Sequence, residues 1–377
     1  ISSLAWLTSP HPAVNIRRSR HDPERTFMAQ AFRADHLGSF LRPADLKAAR
    51  ESGASAEQLK KLEDDHILKI LQRQKDLGFH IFTDGELRRL TFMSDFNEAV
   101  EGVTFEKATQ RQWAGDAKGA PMDVHGVLTQ KVKQKRRLTA YELEFLKKHS
   151  PGPIKMTLPT PNQFPAIVFK KGVSEKAYPS YSDFLWDIVP IFKKEIKGLV
   201  DEGVQYIQID APRYSYYIDP KWREFVKKDM GVDPDQALDE AIKVDNATLE
   251  GAAKAGVTLS MHLCRGNNRS QWYAQGGYDP IAEKLFSTLN VDKYQLEYED
   301  ERSGGFEPLR FMPRGKKVVL GLISSKVAKL EDPKQIIKRI EEAAKFMPLE
   351  DQVFLALQDL QDVVVLELLQ LLGAGAA

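Results

Sequence analysis

The stretch "TLSMHLC" ends in the one cysteine of a 377-residue chain, and a histidine stands two positions before it. Residues two apart on a β-strand face the same side, so His262 and Cys264 would present an imidazole nitrogen and a sulfur together. The next apolar run, "KYQLEYE", carries Glu297 at a matching strand end. Sulfur, imidazole and carboxylate are donor types that zinc accepts. A zinc ion held by them would keep the thiol as thiolate and acidify a second, incoming thiol. Glu299 shares the face of Glu297, so strand alternation does not choose between the two acids. The plainer reading is that Cys264 is a small buried hydrophobe.

Polar residues recur at the ends of the other apolar runs: Asp35, His36 and Ser39, then Asp84 and Glu86, then Asp210, and late in the chain Ser324. A helix N-cap accounts for one such residue at a time. It accounts poorly for acids, a histidine and the sole cysteine drawn from so many runs. Arg265 and Arg269 in "RGNNRS" stand beside the histidine–cysteine pair, where they could receive a carboxylate or simply cap and solvate. "RYSYY", Arg213 to Tyr217, reads as pocket lining or, more plainly, as aromatic packing.

The elements that must position these groups are legible as a rhythm. From Phe32 onward eight short runs, "FRADHLGSF", "FHIFTDGE", "IKMTLPTP", "YIQIDAP", "TLSMHLC", "KYQLEYE", "VVLGLIS" and "VFLAL", alternate with helix-like segments. "SAEQLKKLEDDHILKILQRQKDLG" and "YSDFLWDIVPIFKKEIKGLVDEG" have apolar residues at helical spacing, and "DPKQIIKRIEEAAKFM" opens with an Asp-Pro helix start. Alternating strand and helix predicts a parallel sheet. Eight such units are the count at which a sheet closes into a (β/α)8 barrel, whose functional groups collect at the C-terminal strand ends. An open doubly wound sheet would want a Gly-rich first turn, and "HLGSFLRP" offers one glycine. The expected fold is therefore α/β, a TIM barrel with a long insertion between strands 2 and 3, roughly Thr91 to Pro153. That insertion carries a basic cluster from Lys131 to Lys148, expected to be a solvated helix face. Binding of an anionic substrate tail by Lys133, Lys135 and Arg136 is the sharper alternative.

Composition narrows the partners. Lys and Arg total 54 against 53 Asp and Glu, which gives no general attraction to nucleic acid or to an anionic membrane. No apolar run approaches the length of a membrane span. A single cysteine excludes an internal disulfide framework and fits a reducing compartment, so a cytoplasmic location is expected. Residues 1–27 read as an irregular N-terminal extension. Arg17, Arg18 and Arg20 without a neighbouring acid are a transit-peptide feature, but no amphipathic helix accompanies them, and a natural start at Met28 is expected. Residues 28–377 are then a single catalytic barrel domain with an atypical Leu-rich tail after Leu357.

Taken as a set, "FRADHLGSFLRP", "TDGELRR", "QIDAPRY", "MHLCRGN", "LEYEDERSGGFEPLRF" and "VVLGLISSK" resemble the cobalamin-independent methionine synthase family. The likeness is greater to its stand-alone catalytic barrels, within the superfamily that includes uroporphyrinogen decarboxylase, and runs from about Met28 to Leu357. The resemblance implies a Zn2+ cofactor held by His262, Cys264 and Glu297. It implies that Ser39, Glu86 and Asp210 hold the amino acid substrate, Glu86 and Asp210 with catalytic roles, and that Ser324 lies at or near a further substrate position. It further implies that homocysteine, bound as thiolate, attacks the N5-methyl of a folate-type donor. A free thiol with pKa near 8.5 needs a Lewis acid to do so at neutral pH. Its partners would be these two small molecules, with no nucleic acid and no membrane.

Three departures bear on that expectation. The family's last zinc ligand is a cysteine after strand eight, and here Gln358 to Asp362 occupy the region, leaving Asp359 or Asp362 as the available substitutes. Ser324 stands at or near the position of a histidine proposed as proton donor to the folate in the long synthases, and a serine is a poor acid at pH 7. "MTLPTPNQF" lacks the tryptophan that stacks the pterin. The alternatives are therefore a thiol alkyltransferase with another donor, and a metal-deficient binding relative.

Overall fold

The computed structural model describes residues 34–107, 124–268, 270–324, 326–327, 331–353 and 355–357. The extension 1–27, Arg269, and the tail with Asp359 and Asp362 lie outside the described residues.

The strands are β1 (Ala34–His36), β2 (Val100–Lys107), β3 (Val124–Gln134), β4 (Lys155–Pro159), β5 (Tyr206–Asp210), β6 (Thr258–Leu263), β7 (Lys293–Glu297), β8 (Lys317–Gly321), β9 (Gln352–Val353) and β10 (Leu355–Leu357). Strands β4 to β9 pair in sequence order, all parallel. β10 pairs parallel with β1. Phe82 makes a parallel bridge to Ile154 at the foot of β4, and Phe40 N donates to Gly85 O at 3.1 Å beside it. The ring is a (β/α)8 barrel of eight staves, with β9 and β10 together forming the last.

The second stave differs from the regular strand that "FHIFTDGE" predicts. Its ladder stops after Phe82 because Gln74, from the helix Ala56–Asp76, takes the next peptide groups. Gln74 Nε2 donates to Thr83 O at 2.8 Å, and Thr83 N donates to Gln74 Oε1 at 3.0 Å. The insertion also differs from the expected helix. β2 and β3 form an antiparallel hairpin, and the helix Ala140–His149 follows. Lys131 and Lys133 therefore lie on a strand, while Arg136 and Arg137 pair with Glu98 at 3.1 Å and Glu195 at 2.9 Å.

The helices begin where the sequence puts their caps. Ser55 forms a capping box with Gln58, Ser180 caps Tyr181–Asp201, and Asp332 precedes Pro333 at the start of Pro333–Ala343. Among the described residues no helix is long and apolar enough to cross a membrane.

The strands alternate strictly, and the alternation sorts polar from apolar. Met156 and Leu158, Ile207 and Ile209, Leu259 and Met261, Tyr294 and Leu296, and Val318 and Leu320 join the main core with the surrounding helices. The opposite positions are Lys155, Thr157, Tyr206, Gln208, Lys293 and Gln295, all buried. They bond between strands that are not neighbours, which only the barrel interior permits. Asp35 of β1 contacts Lys155 Nζ of β4 at 2.9 Å, Lys293 Nζ of β7 at 3.4 Å and the Tyr206 hydroxyl of β5 at 2.5 Å. Burial alone would raise the Asp35 pKa; the two ammonium groups reverse this and hold it far below the usual carboxylate range.

Asp35→Asn leaves two buried ammonium groups without their shared carboxylate and is expected to destabilise the fold by roughly 3–5 kcal/mol, read as a lower urea midpoint. A loss below about 1 kcal/mol would show that the interior charges are hydrated. His36, on the outward side of β1, is fully buried against Phe79, with Nε2 at 3.2 Å from Ile81 O. Burial, then the charge of Lys155, lowers its pKa to about 4. The unfolded chain binds a proton near pH 6.5 that the folded chain refuses until about pH 4. Stability present above pH 6.5 is thus lost as pH falls through that window, by about 3 kcal/mol. His36→Asn should remove that part of the pH dependence in urea titrations at pH 7 and 4.5; identical slopes would refute the assignment.

Candidate active site at the mouth of the barrel

The C-terminal ends of β5, β6 and β7 bring Asp210, His262 and Glu297 to one rim. Cys264 follows β6 in the parity of His262, and both line one pocket with Leu37, Glu297, Glu299 and Lys326. The pocket measures about 30 Å³, room for about two water molecules. Both strand-seven acids face it, so the ambiguity between Glu297 and Glu299 persists in three dimensions.

His262 Nδ1 donates to Asp210 Oδ1 at 2.8 Å. Asp210 is in turn fixed by Gln208 Nε2 at 2.7 Å. Burial would lower the His262 pKa, but the charge of Cys264 and the bonds to Asp210 and Cys264 outweigh it and push it up to about 10. A carboxylate on Nδ1–H is the arrangement that orients an imidazole for a ligand at its other nitrogen.

At the end of the second stave, Glu86 has φ +55°, a left-handed conformation that a non-glycine residue adopts only under constraint. Asp84 supplies the constraint by accepting from Glu86 N at 2.9 Å. Gly85 precedes it at φ +69°, where a Cβ would meet Phe40 at 2.7 Å. Glu86 Oε1 accepts from Thr157 Oγ1 at 2.6 Å, while its buried Oε2 has no partner. Burial raises the Glu86 pKa, with Arg89 opposing and Asp210 adding to it. Asp84 is pushed up to about 7 by burial and then by the charge of Glu142. Ser39 accepts from Arg42 Nη1 at 2.8 Å, and Arg42 Nη2 donates to Glu86 O at 3.0 Å. Ser324 follows Ile323 of the pocket lining, its N donating to Glu331 at 2.8 Å and its Oγ accepting from Lys326 N at 3.1 Å.

Spacing alone did not reveal the braces of this rim. Arg89 holds Glu142 through two 2.6 Å bonds and donates to Thr157 O at 2.8 Å. The insertion helix that carries Glu142 thus steadies the stave that carries Glu86. The signal was present in "GELRRL", but the partner lies 53 residues away. Arg265 is a structural clamp: its side chain donates to Gly276 O, Tyr278 Oη, Glu297 O and Ser303 O.

The family of cobalamin-independent synthase catalytic domains matches residues 34–355. The chain belongs to this family. It is a family of methionine synthase methyltransferases. An uncharacterized Bacillus subtilis (strain 168) protein, YxjH, is 37% identical over 342 residues, spanning 87% of this chain and 86% of its own. A Listeria monocytogenes structure, provisionally assigned as a vitamin-B12-independent methionine synthase, superposes with a TM-score of 0.68. It is 26% identical and covers 92% of this chain and 98% of its own. A B12-independent methionine synthase from Shewanella sp. W3-18-1, solved in complex with selenomethionine, gives 0.66 at 21% identity over 90% and 96% of the two chains. That last likeness is one of fold.

The zinc ligands expected from the motif meet a mixed environment. His262 and Cys264 present the right atoms, and Asp210 orients the imidazole. Glu297 is instead neutralised: Oε2 accepts from Arg265 N at 2.6 Å, and Oε1 contacts Arg302 at 2.8 Å and Lys326 at 3.5 Å. Burial opposes, but Lys326, Arg265 and Arg302 bring its pKa down to about 2. Among the described residues no three His, Cys, Asp or Glu side chains converge closely enough to hold a metal ion. The donor types suit zinc, and the third donor is engaged by side-chain cations.

If Asp210 owes its orientation to Gln208, then Gln208→Leu should move the His262 ring-proton resonances in NMR while shifting the melting temperature by only a few degrees. Unchanged resonances would show that Asp210 is held by other contacts.

Proposed function

We propose that the chain is a thiol S-methyltransferase of the methionine synthase type, acting on an aminothiol such as homocysteine with a folate-type methyl donor. The observation that carries this reading is the double engagement of Asp210. It bonds His262 beside Cys264 on one side and acts electrostatically on Glu86, with its partnerless Oε2, on the other. A site of that kind suits a small molecule with an ammonium at one end and sulfur at the other. Glu86 and Asp210 would receive the ammonium, and Ser39, fixed by Arg42, would meet the amino acid backbone. His262 and Cys264 would hold zinc, with Glu297 joining them in exchange for its contacts to Arg302 and Lys326; when bound, the ion supplies the Lewis acid that keeps the incoming thiol deprotonated. Asp210 holds the His262 ring in one orientation.

Ser324 supports a second reading, in which the donor is not a methylfolate. Its hydroxyl is a poor acid, and its Oγ accepts from Lys326 N.

Protein purified without chelator is expected to contain about one zinc per chain and to transfer labelled methyl from methyltetrahydrofolate to homocysteine. His262→Ala and Cys264→Ser should each lose the metal. Metal-free wild-type protein with no turnover would sink the methyltransferase reading, whereas turnover with another methyl donor alone would select the second. Glu86→Gln should raise the KM for homocysteine roughly 10- to 100-fold, the worth of one charge-assisted hydrogen bond, with zinc content unchanged.

A further inference from the structure

A buried guanidinium without a counter-ion stands beside this site. Arg213 follows the C-terminal end of β5, within the turn Pro212–Tyr217, and is only 3% exposed. Nη2 donates to Gln163 O at 3.3 Å, and the guanidinium lies 3.9 Å from the Tyr216 ring centroid. Tyr216 is itself stacked on Trp222 at 4.1 Å, so the cation rests on a fixed aromatic floor. Nε and Nη1 have no acceptor. Among the described residues no carboxylate forms an ion pair with it, whereas buried Arg89 grips Glu142 with both arms. Burial of an unpaired charge is expensive, and a folded chain retains it where something else supplies the anion.

The position of Arg213 says where that anion arrives. Tyr273 donates to Pro212 O at 2.9 Å, next to Arg213, and its hydroxyl feels the charges of both Cys264 and Arg213. Arg213 thus lies on the mouth side of β5, three residues after Asp210, and shares with Cys264 an electrostatic influence on Tyr273.

We propose that Arg213 is the receptor for a substrate carboxylate, its planar donors taking the acid group while Tyr216 supports the opposite face. This deepens the methyl-transfer reading and rests on it for the ligands offered. The carboxylate belongs either to the amino acid or to the glutamate tail of the donor.

Isothermal titration with methionine, methionine methyl ester, 5-methyltetrahydrofolate and its glutamate dimethyl ester separates the sources. Wild-type protein should prefer the acid over the ester at least tenfold in one pair. Arg213→Gln should abolish that preference, and the pair affected names the source. The free Arg213→Gln protein should melt close to wild type, because the lost charge had no counter-ion and its contacts to Gln163 O and Tyr216 are offset by relief of the buried charge. Preference retained in both pairs overturns the assignment alone. Failure of both Arg213→Gln and Arg213→Met to fold would make the charge structural and overturn it too. Wild-type protein that binds none of the four overturns the methyl-transfer reading together with this one.

Discussion

Everything at the rim stands on a charge buried at the centre of the barrel. Asp35 is sealed inside with Lys155, Lys293 and the Tyr206 hydroxyl. From there a chain of side-chain bonds climbs the interior: Gln295 Nε2 to Tyr206 Oη at 3.1 Å and to Gln208 Oε1 at 2.6 Å, Gln208 to Asp210, and His262 to Asp210. Most barrels of this kind fill the same space with branched aliphatic layers. A polar filling adds little net stability over an apolar one, since desolvation cancels most of the attraction. What it contributes is direction. Tyr206, Gln208 and Gln295 are each tied to a side chain on another strand, so the imidazole at the top inherits a geometry that begins at the floor.

The acidic side of the rim is built differently, by compression. Gly38, at φ +99°, lets the backbone pass so close to Thr157 that a Cβ would stand 2.5 Å from its Cγ2. That approach puts Ser39 and Glu86 on the same small patch, and Arg42 ties them by donating to Ser39 Oγ and Glu86 O. The left-handed backbone at Glu86 is the strained link, and such strain persists only where neighbours over-determine it. Here the neighbours include Glu142, through Arg89 and Thr157. The long insertion therefore reads as a buttress for Glu86, a role its basic surface conceals.

Much of this was legible before any coordinates. The alternations K-M-T-L-P, Y-I-Q-I-D and K-Y-Q-L-E state the sorting of polar and apolar faces outright, and the eight runs give the staves. Same-face placement of His262 and Cys264 followed from strand parity alone. The failures share one cause. Gln74 silencing the ladder at Thr83, Glu142 reaching Arg89 and Lys326 reaching Glu297 are contacts between distant positions, and spacing along one element carries no information about them. "VLTQKVKQ" alternates like a strand, but its lysines give the same segment the look of a solvated helix face, so charge masks the period of the hairpin. Arg265 looked like a ligand receptor because only its type and position were visible; its four acceptors all come from folding.

Charge balance ties the two sides of the rim together. Glu297 and Glu299 share one pocket, and two carboxylates so close remain ionised only with cations beside them. Arg302 contacts both at 2.8 and 2.5 Å, and Lys326 bridges both as well. Any cation entering from solvent must therefore compete with an ammonium that is already partnered, so its affinity for the pocket and the position of Lys326 are thermodynamically linked. Resemblance to the family supplied a second cysteine thiolate here, and this sequence lacks one. Losing one thiolate makes the pocket one unit more positive, and Lys326 beside Glu297 and Glu299 adds its own charge for as long as it stays there. Lys326 and Arg302 thus already supply to Glu297 and Glu299 the positive charge that a cation entering the pocket would otherwise bring.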